Sequence, residues 1–128
     1  MSTIHRLATA VAAASLLAAA GAPGALAKDG DVRVAGSCSA SATSKLKLSP
    51  ENGRIETEFE VDQNRNGVTW RVTLTQNGVQ RVSTLATTVA PSGSFELRRL
   101  LPNTPGADRV TARAVSPSGQ VCTASASL

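Results

Sequence analysis

The chain has 128 residues, with 13 Lys and Arg against 9 Asp and Glu, 41% hydrophobic content and only 2% aromatic content. That length allows one small domain with one core once a leader is set aside. So mild a positive charge favours solubility and loose attraction to anionic surfaces, and does not by itself indicate nucleic acid.

The first 27 residues read as a secretory signal peptide. Arg6 supplies a positive start, Leu7 to Ala22 is an apolar run built mostly of alanine, Pro23 and Gly24 break a helix, and Ala25-Leu26-Ala27 is an A-x-A cleavage site. The run falls short of the ~20 apolar residues of a membrane span, and alanine is barely hydrophobic. Cys38 follows Ala35-Gly36-Ser37, one residue out of register for a lipoprotein anchor. The expected product is a soluble protein, residues 28–128, secreted after cleavage following Ala27, with no membrane insertion. It keeps twelve basic and nine acidic residues, a net charge of +3.

Apolar residues alternate with polar ones through most of that remainder, the mark of half-buried antiparallel strands. The segments 31–36 and 43–48 are short, the second with Leu46 and Leu48 inward. In 54–62, Ile55, Phe59 and Val61 oppose Glu56, Glu58 and Glu60; in 67–76, Val68, Trp70, Val72 and Leu74 oppose Thr69, Arg71, Thr73 and Thr75. A strand near 79–88 has no clear register. In 94–101, Phe95 and Leu97 share a face with Arg99, and 108–116 and 120–128 alternate around Val110, Ala112, Ala114 and Cys122, Ala124, Ala126. Asn52-Gly53, Asn66-Gly67 and Asn77-Gly78 supply hairpin turns, and Pro91-Ser92-Gly93 and Pro117-Ser118-Gly119 supply two more. The motif Val-[Ala/Ser]-Pro-Ser-Gly at 89–93 and 115–119 reads as two similar hairpin turns rather than a duplication.

The expected fold is therefore all-β: one immunoglobulin-like or fibronectin-like antiparallel sandwich of seven or eight strands over 28–128, with no helix after the signal peptide. Cys38 and Cys122 are the only cysteines, and in an exported chain they are expected to form one disulfide tying the first strand region to the last. The antibody-type pattern is absent, because Trp70 follows Cys38 by 32 residues and the chain has no tyrosine.

The N-terminal strand with Cys38, then Ser44-Lys45-Leu46-Lys47-Leu48, then Phe59 to Gly67 and the Pro-Ser-Gly turns resemble small exported immunoglobulin-like proteins of actinobacteria. The resemblance covers residues 32–128. It implies a fold and a compartment, and it brings no catalytic motif.

The lone histidine, His5, leaves with the leader, so the mature chain has no imidazole base and no histidine-based zinc site, and bonded cysteines leave no thiolate. Glu56, Glu58 and Glu60 lie on one strand face about 7 Å apart, within the span of an inverting glycosidase pair. A solvated face opposed by Arg71, Lys45 or Lys47 is the better reading, since such enzymes need aromatic platforms and the chain has one Trp and two Phe. Arg98, Arg99, Arg109 and Arg113 could form a patch if their strands are neighbours; a scattered basic face protecting strand edges is preferred. Leu101-Pro102-Asn103-Thr104-Pro105-Gly106 resembles a sorting signal with a proline inserted, but no hydrophobic tail follows it.

The stretch Asp62-Gln63-Asn64-Arg65-Asn66-Gly67 opens like a calcium loop, with Asp62, Asn64 and Asn66 as weak metal candidates. The ninth position is Trp70 and the twelfth, where a bidentate glutamate belongs, is Thr73. A hairpin turn is the better reading, joining the acidic strand to the next so that Trp70 enters the core beside Phe59, with Gly67 the residue of that stretch least tolerant of change.

The function expected from these residues is non-catalytic: a secreted binding or adhesion-type module, monomeric, without cofactor, engaging a protein or a cell-wall polymer and not nucleic acid. A small-ligand carrier or a protease inhibitor is the alternative. Apolar space between the sheets points to the carrier, and a rigid protruding 100–108 loop to the inhibitor.

Overall fold

The computed structural model describes residues 30–128; the leader at 1–27 lies outside the described residues. Nine strands form, β1 (Val32–Ala35), β2 (Ser37–Cys38), β3 (Thr43–Glu51), β4 (Arg54–Asp62), β5 (Thr69–Gln76), β6 (Val79–Thr87), β7 (Ser94–Pro102), β8 (Arg109–Val115) and β9 (Val121–Ser127), and no helix occurs among the described residues. They make two sheets, β1-β3-β4-β7 and β2-β9-β8-β5-β6, in which every recorded pairing is antiparallel. The count exceeds the expected seven or eight because the first strand is two: the chain changes sheets at Gly36, pairing with β3 before it and with β9 after it.

The order β9-β8-β5-β6 is that of the G, F, C and C′ strands of an immunoglobulin variable domain. In the other sheet β3-β4-β7 follows the A, B and E order of the same sandwich, with β1 added at its edge. Local chemistry sets the hairpins. Asn52 and Gly53 adopt φ of 47° and 77°, a two-residue turn whose twist suits a hairpin, so β3 folds back on β4 over nine register pairs. Asn77 and Gly78, at 49° and 85°, do the same for β5 and β6.

Alternation fills the space between the sheets. Trp70, Phe59, Leu46, Leu48, Ile55 and Leu74 are fully buried. Phe95 links the aromatics, its ring 6.4 Å from Phe59 and 6.3 Å from Trp70, so Trp70 has Phe95 as its ring contact, between it and Phe59. Ala112, Ala114, Ala124 and Ala126 cover the inner face of β8 and β9 with small side chains. Removing a buried Phe or Trp from such a core costs about 3–5 kcal/mol. Arg99 keeps the inward parity expected of it, yet it is exposed: β7 is an edge strand, and an inward-directed charge at an edge discourages further strand pairing.

Cys38 and Cys122 form the disulfide, directly opposite each other on neighbouring strands. Both lie on the inner face of one sheet, so the bond clamps the two-residue β2 to β9 and does not bridge the sheets.

Candidate functional site

The segment 63–68 is not a hairpin. It carries the chain from β4 in one sheet to β5 in the other, and 88–93 makes the return crossing from β6 to β7. The two crossings are joined by hydrogen bonds. Gln63 N donates to Gly93 O (3.0 Å), Gly67 N to Thr88 O (2.7 Å), Thr88 N to Val68 O (2.9 Å), and Val68 N to Thr88 Oγ1 (3.0 Å). The buried Thr88 hydroxyl donates to Arg65 O (2.6 Å), and Trp70 Nε1 donates to Gln63 Oε1 (3.1 Å).

Those bonds use atoms that a calcium loop would need. Asp62 Oδ1 accepts from Asn64 N (3.0 Å), closing a local turn, and the Val68 carbonyl, at the seventh loop position, faces Thr88 N. Gly67 has φ of 78° with open space around it. The close approach belongs to Gly93, where an added Cβ would lie 2.1 Å from Arg65 N. The Pro-Ser-Gly turns also differ: 117–119 joins paired strands, whereas 91–93 belongs to a crossing between sheets.

The glutamates of β4 form the middle of a charge ladder on the outer face of the four-stranded sheet. Register places Lys47, Glu58 and Arg98 in one row and Lys45, Glu60 and Glu96 in the next. Glu58 lies 3.2 Å from Lys47 Nζ and 3.0 Å from Arg98 Nη2, Glu56 lies 3.6 Å from Arg98, and Glu60 lies 3.4 Å from Lys45. Burial alone would raise the Glu58 pKa; the Lys47 hydrogen bond and the charges of Arg98 and Lys47 outweigh it and hold the carboxyl below its ordinary value. The neighbouring Glu56 and Glu58 charges raise the Arg98 pKa in turn. A glycosidase acid requires a raised carboxyl, so the best-placed glutamate is tuned the wrong way for that role. Arg71, one expected partner of this face, lies in the other sheet.

The four arginines considered as a patch are not together. Arg98 and Arg99 sit on β7, and Arg109 and Arg113 on β8 of the opposite sheet. Pairing of β5 with β8 brings a different partner: Arg71 is level with Val115, and Thr73 with Arg113. Arg71 and Arg113 are thus diagonal neighbours, about 7–8 Å apart at Cα, and Arg109 lies about 13–14 Å further along β8. All three are exposed, and none has a carboxylate within ion-pair distance among the described residues. The five strands of this sheet contain no Asp or Glu, and hydroxyls cover their outer face, including Thr73, Thr111 and Thr123.

One further polar centre escaped sequence reading. Asp108, fully buried, accepts from Gln76 Nε2 (2.9 Å), Asn77 Nδ2 (2.9 Å), Thr104 N (3.0 Å) and the Thr104 hydroxyl. Its backbone pairs with Leu128 in both directions, and Gln76 Nε2 also donates to Pro102 O. Together these bonds anchor the 103–107 loop. The local hint was Gln76, a polar residue at the inward position that continues Trp70, Val72 and Leu74.

No helix among the described residues is long and apolar enough to cross a membrane, and no group of three or more His, Cys, Asp or Glu among them could hold a metal. No family model matches the chain, and neither a curated protein nor a solved structure matches it.

Proposed function

We propose that the mature chain is a secreted, non-catalytic β-sandwich acting as a binding or adhesion-type module at or outside the cell surface, of the kind seen in small exported immunoglobulin-like proteins of actinobacteria. The contrast between the two outer faces carries this reading. One is a ladder of mutually paired charges. The other presents arginines without ionic partners among the described residues, on a hydroxyl-covered sheet, and arginines held this way are available to something outside the chain. The leader at 1–27 supports export, and the histidine-free mature sequence supports a role without catalysis. The module works as a monomer, without cofactor, and engages a cell-wall polymer or a protein rather than nucleic acid.

The test is retention. Tagged 28–128 polypeptide is incubated with isolated cell envelopes and with culture supernatant at low salt. Specific retention by the folded protein is expected. Retention no greater than that of a reduced, alkylated and unfolded sample refutes the module.

A protease inhibitor is the second reading, and one observation favours it: Asp108 braces the exposed 103–107 loop. Stoichiometric inhibition of an endopeptidase, lost when 104–106 is replaced, is the result that distinguishes it. The carrier has less support, because Trp70, Phe59 and the aliphatics fill the space between the sheets.

A further inference from the structure

We infer that the outer face of the five-stranded sheet docks a flexible polyanion whose charges are phosphodiesters linking a hydroxyl-rich backbone, with Arg71, Arg113 and Arg109 as its anchors. The inference rests on the module reading above and specifies its partner.

Charge complementarity is the first argument. The opposite face neutralises itself through Lys45, Lys47 and Arg98, whereas this one is free of carboxylates along all five strands. The nearest carboxylate in sequence, Asp108, is buried and already accepts bonds from Gln76, Asn77 and Thr104. A small anion would meet one solvated guanidinium and gain little. A chain of anions can meet three together and release its counterions on doing so.

The shape and chemistry of the face select the class of polymer. Protein interfaces are anchored by aromatic and apolar side chains set in pockets, and single-stranded nucleic acids by aromatic platforms. This face has no aromatic: the single Trp and both Phe of the chain are buried in the core. Instead, hydroxyls flank the arginines. Arg113 stands between Thr73 and Thr123 in register, and Thr111 pairs with Ser125 through a 2.8 Å hydroxyl contact. Guanidinium and hydroxyl donors together are a set that recurs at phosphate oxygens. The anchors are unevenly spaced, at about 7–8 Å and about 13–14 Å. A flexible backbone that carries a charge in every link can match both intervals, whereas a stiff sugar ribbon that turns its carboxylates to alternate sides cannot present each one to a flat sheet. Beside Arg71, the exposed Leu85 and half-buried Val115 line a shallow depression with Pro117, a surface suited to the methylene segments of such a chain.

The test uses the 28–128 polypeptide, which contains both sheets, the core and the disulfide. Binding to poly(glycerol phosphate), polygalacturonate, polyglutamate and dextran is measured by thermophoresis at 50 and 200 mM salt. Poly(glycerol phosphate) is expected to bind most tightly, and its dissociation constant to rise about twenty- to fortyfold across that salt range for three contacts. R71A/R113A is expected to weaken it at least tenfold while keeping the wild-type melting curve, and R71K/R113K to keep most of the binding. K45A/K47A, on the opposite face, is expected to bind as wild type. Unchanged binding by R71A/R113A overturns the assignment of the face. Equal or tighter binding of polyglutamate overturns it in favour of an acidic protein, and tighter binding of polygalacturonate overturns the phosphodiester. Envelope retention that persists in R71A/R113A sinks this inference and leaves the module reading standing; loss of envelope retention in the wild type as well sinks both.

Discussion

Replacing Asp108 by asparagine changes almost no volume and removes one acceptor and one charge. Among the described residues the carboxylate accepts from Gln76 Nε2, Asn77 Nδ2 and the Thr104 hydroxyl at Oδ1, and from Thr104 N at Oδ2. Asparagine can keep its carbonyl where Oδ1 was, but its amide NH2 then faces the Thr104 N–H, donor against donor. An unsatisfied buried donor costs about 1–3 kcal/mol, and the remaining bonds lose the charge that makes them roughly twice as strong as neutral ones. The sum is about 2–4 kcal/mol, a large share of the stability of a small domain. In urea the midpoint should fall on the order of 1–2 M with the slope unchanged, since the surface exposed on unfolding is the same. Limited proteolysis should cut within 103–107 faster than in the wild type. Asp108→Ala strands more donors and should be worse. A loss below about 0.5 kcal/mol for Asp108→Asn would refute the claim that this carboxylate holds the loop.

Reduction and alkylation of Cys38 and Cys122, separated by 84 positions, should lower Tm by more than about 10 °C: the chain-entropy model gives ~4.5 kcal/mol for such a loop, and 1 kcal/mol moves a domain of this size by about 4–8 °C. An unchanged calorimetric trace after alkylation contradicts it. Gly93→Ala should cost about 3 kcal/mol or more, because it adds overlap with the Arg65 backbone to the strain of a φ of 71°, whereas Gly67→Ala carries only the conformational cost of about 1–2 kcal/mol; paired denaturation curves decide the ranking. Glu58 is held below the ordinary 4.5, so its contribution to stability is complete above that pH and is lost as pH falls through the lower folded value. Wild type and Glu58→Gln should therefore converge in stability in that acid window, and a difference that stays constant from pH 7 downward would count against the Lys47–Glu58–Arg98 row.

What was legible in the sequence is local. Alternation along 54–62 and 67–76 placed the large apolar inward side chains correctly, and Asn52-Gly53 and Asn77-Gly78 are the hairpins their chemistry suggests. The same reasoning failed at Asn66-Gly67. The dipeptide has the composition of a hairpin turn, but β4 pairs with β3 and β7 while β5 pairs with β6 and β8, and those long-range pairings send the two strands to different sheets. The scattered arrangement preferred for the arginines holds, but for the same reason their neighbours were not legible. Arg98 and Arg113 look alike in sequence, yet one is ion-paired to Glu58 and the other has Arg71, 42 positions earlier, as its diagonal neighbour. Parity tells which way a side chain points and not which strand lies beside it.

The most direct test of the account is a residue-resolved map of binding. Amide chemical shifts of the labelled 28–128 polypeptide are followed as poly(glycerol phosphate) is added at low salt. The account predicts saturable shifts centred on Arg71, Thr73, Arg113 and Thr123, with the Lys45, Lys47 and Glu58 amides unmoved. Shifts centred on that opposite face, or on the 103–107 loop, would contradict it.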